Sequence, residues 1–189
     1  MPNSHHSSAS VEFFTPLDIV IAAHNLMGQI DLDPATTAQA NKDRIKAKRF
    51  YTKETNGLNR TWKGNVFLNP PGGRYEGHSS AKVWWEKLAD EYNIDHVQQA
   101  IFIGFSIEIL QTSQISKIAP YNLTNFPICI PKRRVSFDQW KRSRWQPTGS
   151  PTHANVIAYL PPKGDDDFNI QAFHTIFKSF GDIMSPYRS

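Results

Sequence analysis

The sequence predicts an α/β fold: a mostly parallel, twisted sheet with helices on both faces. Three observations carry this expectation. Short apolar segments of strand character alternate with helical segments through the first two thirds of the chain, the order that parallel βαβ connections require. Two of those segments stop at unusual polar loops, Asp33-Pro34-Ala35 and Asn69-Pro70-Pro71, and ligands in such sheets bind beyond the carboxyl ends of strands. No internal repeat, low-complexity tract or linker divides the 189 residues, a length that fits one core.

Thr15-Pro16 reads as a helix start, with Thr as cap, Pro at the first helical position and Asp18 at capping-box spacing. The helix continues through Ile19, Val20, Ala23 and Leu26 and stops at Gly28. A short strand over 29–33 is broken by Pro34, 35–43 has helical character, and 48–52 reads as a second strand. Thr55-Asn56-Gly57 is turn chemistry. Asn65 to Leu68 forms a strand that ends at Asn69. From Ser79 to Tyr92, Trp84, Leu88 and Tyr92 share one helical face. Residues 99–105 read as a buried strand, and 107–118 as a helix. Strand pieces follow at 127–131, 135–137 and 155–160, and a last helix spans about 166–180.

Hydrophobic residues make up 39% and aromatics 12%, enough to fold without covalent staples. The single Cys129 can form no intrachain disulfide, and no Cys/His cluster has zinc spacing. His78, His96, His153 and His174 are scattered, and Asp165-Asp166-Asp167 is better explained as negative charge before a helix than as a metal site. No metal is therefore expected. Residues 1–10 are polar, carry no apolar signal core and read as a disordered arm, and no run approaches the length of a membrane span. A soluble intracellular protein is the expectation. No Ser/His/Asp arrangement, phosphate-binding loop or Gly-x-Gly-x-x-Gly after the first strand is present, which argues against hydrolytic, phosphoryl-transfer and dinucleotide chemistry.

The formal net charge is +4 with a pI near 9.2, and its distribution says more than its size. Lys42, Arg44, Lys46, Lys48 and Arg49 form one basic cluster. Lys132, Arg133, Arg134, Lys141, Arg142 and Arg144 form another, interleaved with Phe137, Trp140 and Trp145. Cations there would meet phosphates and the tryptophans would meet bases, so the segment from about 131 to 148 is the expected nucleic-acid contact. The alternative is a solvated loop over buried aromatics.

Asn69-Pro70-Pro71 carries the chemistry. An exocyclic amine on a base is a poor nucleophile because its lone pair is delocalised into the ring. Accepting hydrogen bonds from both amino hydrogens aims that lone pair at an electrophile. The Asn69 side-chain carbonyl and the Pro70 backbone carbonyl are suited to this, and two prolines stiffen the loop. Much of such a rate comes from positioning. On its own the tetrapeptide with Gly72 would better suit a turn ending a strand.

Order and company decide the matter. Phe13-Phe14-Thr15-Pro16, Ile30-Asp31-Leu32-Asp33-Pro34-Ala35, Asn56-Gly57-Leu58 with Trp62, and Val66-Phe67-Leu68-Asn69-Pro70-Pro71 follow one another within sixty residues. From Phe13 to Pro71 the chain resembles the phage-type Dam family of DNA N6-adenine methyltransferases, and more weakly so through the tryptophan helix and 133–137. The resemblance implies a single Rossmann-like methyltransferase domain over 11–189, S-adenosylmethionine as cofactor, DNA as partner and a cytoplasmic setting in a bacterial or phage-infected cell. It indicates no oligomeric state. It implies that Phe14, Thr15 and Pro16 meet the methionine end of the cofactor, and that Asp33, Pro34 and Ala35 form its first loop. Asn56 and Leu58 would lie near its adenine, with Asn56 where the family usually has Asp, and Glu54 would serve the ribose. Asn69, Pro70 and Pro71 would be catalytic, with Asn69 also beside the cofactor. The family's tetrapeptide usually ends in an aromatic that stacks on the target base, where this chain has Gly72. Tyr75, Trp84 and Trp85 are the candidate replacements. Tyr75, Lys132, Arg133, Arg134, Trp140, Arg142, Arg144 and Trp145 are the expected substrate contacts. Amine methylation of cytosine N4, of RNA or of protein glutamine obeys the same physics, and a nucleic-acid-binding relative without turnover is the non-enzymatic alternative.

Overall fold

The computed structural model describes residues 13–115, 122–149, 152–164 and 166–186. The arm expected at 1–10 and the end of the helix expected over 107–118 lie outside the described residues.

The chain enters through α1 (Leu17–Met27), β1 (Leu32–Asp33), a short helix α2 (Ala38–Ala40) that runs into a π-helical turn (Asn41–Ile45), and β2 (Arg49–Phe50). A 3-10 turn (Gly57–Asn59) leads to β3 (Gly64–Leu68) and a small hairpin of β4 (Arg74–Tyr75) and β5 (His78–Ser79). Helix α3 (Ser80–Asn93), β6 (Val97–Gly104), α4 (Ile109–Thr112) and β7 (Ile128–Pro131) follow. A second hairpin, β8 (Asp138–Lys141) and β9 (Arg144–Pro147), precedes β10 (Val156–Leu160), α5 (Asp166–Phe177) and β11 (Gly181–Met184).

Seven strands form the central sheet in the order β11-β7-β10-β6-β3-β1-β2. Strands β2, β1, β3 and β6 are parallel neighbours. β10 runs antiparallel to both β6 and β7, which turns β7 back into the common direction, and β11 is antiparallel to β7. Five strands therefore share one direction and two oppose it. The carboxyl ends of β1, β2, β3, β6 and β7 all open on one edge of the sheet.

Alternation along each strand divides the core in two. Phe67, Ile101, Ile103, Ile157 and Tyr159 face α1 and α5. Val66, Leu68, Ala100, Phe102, Val156, Ala158 and Leu160 face Trp84, Trp85 and Leu88 of α3 and Ile109 of α4. Every one of these strand side chains is completely buried. A sheet covered on both faces reads as a continuous apolar run, as 100–103 and 156–160 do. At its start, β3 is locked to the turn before β1: the Asn65 backbone N–H donates to Asp31 Oδ2 and its side chain donates to the Met27 carbonyl.

Several local expectations change. Thr15 does not cap α1, whose N-cap is Pro16 without a side-chain bond, although Gly28 does end it in the left-handed region at φ 75°. The strand expected at 135–137 is absent, because the backbone there turns into β8. The last helix ends at Phe177, three residues before the expected end, and β11, which follows it and was not expected, closes the sheet edge. Trp84 stacks on Trp62, and Trp85 packs edge-on against Phe102 and Phe126, so both belong to the core.

Candidate active site at the carboxyl edge

Three strands are adjacent here and each ends in a loop that builds the site. β1 ends at Asp33, β3 at Leu68 and β6 at Gly104. The chain moves from β1 to β2 on one side and returns to β3 on the other, so the strand order reverses between Asp33 and Asn69. A crevice at such a reversal is where open α/β sheets hold ligands.

Asp33 is 2% exposed. Its Oδ1 accepts the Ala35 backbone N–H at 3.0 Å and its carboxyl is also bonded by Thr36, which folds Asp33-Pro34-Ala35 into a tight loop. Burial outweighs these bonds and pushes its pKa up to about 7. The backbone N–H of Tyr51 donates to the Asp33 carbonyl, joining this loop to the end of β2.

The 3-10 turn lies directly on that loop. A Cβ on Gly57 would fall 2.1 Å from the Pro34 carbonyl oxygen, so only glycine permits this approach. Buried Trp62 holds the turn in place by donating its Nε1–H to the Gly57 carbonyl at 2.8 Å. Asn56, at φ 44°, accepts the Leu58 N–H with its own side-chain oxygen, and Leu58 packs against the second core. Glu54 is exposed beyond it. The Thr52 hydroxyl donates to its carboxylate at 2.6 Å and holds its pKa below the ordinary value.

Asn69 is half-buried, Pro70 is buried and Pro71 is exposed. The Asn69 Nδ2 donates to the backbone carbonyl of Phe13 at 2.9 Å. That bond draws the segment before α1 across the end of β3 and brings the predicted N-terminal motif to the predicted active loop. Next to Phe13, Phe14 pairs its backbone with Asp138 in both directions at 2.8 Å. Thr15 is 2% exposed, and its hydroxyl is the one buried side-chain polar atom among the described residues with no hydrogen-bond partner. Tyr75 is half-exposed on the β4–β5 hairpin that follows the loop.

The basic segment divides between two places. Lys132, Arg133 and Arg134 are exposed just beyond the carboxyl end of β7, and Lys132 and Arg133 line a groove with Pro16 and Asp18 at the start of α1. Trp140, Lys141, Arg142 and Arg144 are exposed on the β8–β9 hairpin, whose two-residue turn Arg142-Ser143 has both residues at positive φ, as primed hairpin turns require. Trp140 and Trp145 face each other across it, centroids 5.0 Å apart.

A polar cluster seats this hairpin. Arg44 meets Asp138 at 2.5 Å and lies 4.2 Å from the Trp145 ring centre. The Trp145 Nε1–H donates to Asp43 at 2.9 Å, and the ring packs edge-on against Phe14. Arg44 thus leaves the first basic cluster for a structural role, and Lys48 pairs with Asp31 at 3.1 Å. Sequence reading had no signal for Arg44, Asp138 and Asp43 acting together, because they sit on segments almost a hundred residues apart.

The fold is an α/β sheet covered on both faces, with the buried Asp33 carboxyl and the oriented Asn69 amide on loops at the same edge of adjacent strands, the class of architecture that holds ligands at that edge. The chain belongs to the Dam family, the DNA N-6-adenine-methyltransferases, whose family model matches residues 5–106. That match takes in the Phe13, Asp33, Gly57 and Asn69 segments and extends to the end of β6. No curated protein matches the chain. Among the described residues, no group of three or more His, Cys, Asp or Glu is arranged to hold a metal ion, and no helix is long and apolar enough to cross a membrane.

Proposed function

We propose that this chain methylates the N6 amine of adenine at a defined sequence in DNA, using S-adenosylmethionine. The observation that carries this reading is the Asn69–Phe13 hydrogen bond. With Nδ2 committed to Phe13, the amide oxygen is the end left to accept from a substrate amine. An adenine amine has two hydrogens to give, and the Pro70 carbonyl is the second acceptor. Held at both hydrogens, the nitrogen loses conjugation with the ring and its lone pair turns outward.

The residues suit the cofactor. Thr15 offers a buried hydroxyl without a partner, and Asp33 offers a buried carboxyl that a cationic amino group would hold ionised. Thr15 and Pro16 would meet its methionine end with Phe14 behind them, and Asn56 and Leu58 its adenine, with Glu54 nearer its ribose. S-adenosylmethionine, when bound, supplies an electrophilic methyl group. Exposed Lys132, Arg133 and Arg134 beside α1, with Trp140, Arg142 and Arg144 on the hairpin, would grip the duplex, and the adenine would leave the stack to reach Asn69. Trp145 would act through the hairpin it anchors. Such an enzyme acts where DNA is in the cytoplasm of a bacterial or phage-infected cell.

The test is label transfer. The chain is incubated with unmethylated DNA and methyl-labelled S-adenosylmethionine, and the DNA is digested to nucleosides. Label in N6-methyl-2′-deoxyadenosine is expected. Label in N4-methyl-2′-deoxycytidine or in protein, or label in RNA when RNA is offered in parallel and none in DNA, would overturn the reading.

A further inference from the structure

A base drawn out of a duplex needs a flat apolar face, because stacking returns part of what unstacking costs. Gly72 presents none: it is exposed, and a Cβ there would meet nothing within 4 Å. Trp62, Trp84 and Trp85 are spent in the core.

What flanks Asn69 is Phe13. Its carbonyl holds the Asn69 amide, yet the residue is 40% exposed, an unusually open position for a large apolar side chain. The ring rests on Phe105, with centroids 5.9 Å apart. Phe105 follows the last residue of β6, the parallel neighbour of β3. The register of β3 with β6 ends with Leu68 opposite Phe102, so Asn69 follows the last paired residue of one strand and Phe105 lies three residues beyond that of the other. Phe105 is itself braced. Buried Phe137 lies against it at 5.7 Å and His153 at 5.2 Å, and Asn155 donates to its carbonyl at 2.8 Å. A half-exposed phenylalanine on a braced ring, beside the amide proposed to hold the amine, has no role in the core of the sheet.

We infer that Phe13 and Phe105 form the aromatic platform on which the extruded adenine lies while Asn69 holds its amine, in place of a ring after Pro71. This rests on the DNA-adenine reading above. Phe13→Leu and Phe105→Leu keep apolar volume and remove the ring, while Phe13→Tyr and Phe105→Tyr keep the ring. Substituting the Phe13 side chain leaves its backbone carbonyl in place for Asn69.

The experiment measures kcat/KM for methyl transfer into unmethylated DNA, S-adenosylmethionine affinity by calorimetry, and thermal unfolding. Each Leu variant should lose about 5- to 150-fold in kcat/KM. Cofactor affinity should stay within about threefold, and each Tyr variant should recover to within about threefold of wild type. If Phe105→Leu unfolds at a lower temperature, the half-exposed Phe13 pair decides. Leu variants as active as wild type on DNA, with N6-methyladenine still the product, would overturn the platform and leave the function standing. Wild-type protein that makes no N6-methyladenine would overturn both.

Discussion

The side-chain amide of Asn69 donates to the carbonyl of Phe13 across 2.9 Å, joining the end of β3 to the segment before α1. The bond engages the Nδ2 end of a nearly symmetric group and leaves the oxygen end for the substrate in the proposed reaction. Asn69→Ala should lower kcat by about 10²- to 10³-fold, as removing one preorganised polar partner does elsewhere. Affinity for S-adenosylmethionine should change less, since Asp33 is held by its own loop and the segment before α1 stays paired through Phe14 and Asp138. Single-turnover kinetics with calorimetry on the same preparation checks both halves.

Asp33 makes stability and ligand affinity depend on pH in opposite senses. Burial raises its pKa from 3.8 to about 7, so the folded state holds this proton more tightly than the unfolded state. Its contribution to stability is therefore greatest at low pH and declines as pH rises from about 4 to about 7. The decline is bounded at about 4 kcal/mol by a shift of about three units. Asp33→Asn should flatten this slope in urea titrations at pH 5 and pH 8. A cationic cofactor group favours the ionised form, so wild-type affinity for S-adenosylmethionine should rise between pH 5.5 and 7.5, and that rise should be absent in the Asn variant.

Gly57 has no room for a methyl group. In Gly57→Ala the new Cβ would fall 2.1 Å from the Pro34 oxygen, and the Trp62 bond to the Gly57 carbonyl resists any retreat of the turn. Overpacking of this kind costs about 1–3 kcal/mol. Because the clash falls on the Asp33 loop, cofactor affinity should fall as well, by at least tenfold on calorimetry. Unchanged affinity would separate this turn from the cofactor site.

The Arg44–Asp138 pair joins the β8–β9 hairpin to the π-helical turn, with side chains only 10% and 14% exposed. Removing one partner leaves a charge nearly out of water. Asp138→Ala should destabilise the protein by about 3 kcal/mol in chemical denaturation, with altered tryptophan fluorescence, because Arg44 also lies on Trp145.

At the exposed end of the hairpin, charge should govern DNA affinity and leave the fold alone. Lys141→Ala and Arg144→Ala should each weaken DNA binding and reduce the slope of log affinity against log salt by about one. The unfolding temperature and cofactor affinity should hold. A salt slope unchanged in both variants would remove the hairpin from the DNA interface.

Much of the fold was legible because its signals are local. The polar stop at Gly28, the tryptophan face of α3 and the apolar runs of β6 and β10 each depend on residues a turn or a strand apart. The site was legible in pieces for the same reason: Asp33, Asn56 and Asn69 mark loops that interrupt local patterns. Three features were not. The hairpin of Trp140 and Trp145 was read only as a basic, aromatic segment, because pairing between β8 and β9 is not expressed in periodicity over four-residue strands rich in charge. β11 was not foreseen, since it is four residues long and its partner β7 lies some fifty residues earlier. Thr15 was assigned to a cap, where packing leaves its hydroxyl buried and unpartnered.

Residue order alone was enough to specify alternating strands and helices, the loops at Asp33 and Asn69, and the kind of chemistry an Asn-Pro-Pro turn can perform. Packing settled the pairing of β6 beside β3, which put Phe105 at the same edge as Asn69, the insertion of β10, which brought His153 there, and how Phe13 crosses β3 to orient the amide. The reason is physical. Periodicity reports that a side chain is buried or exposed, through contacts within a few residues. The partner it is buried against is chosen by pairing and shape complementarity between segments fifty to a hundred residues apart, which leaves no repeating mark in either segment.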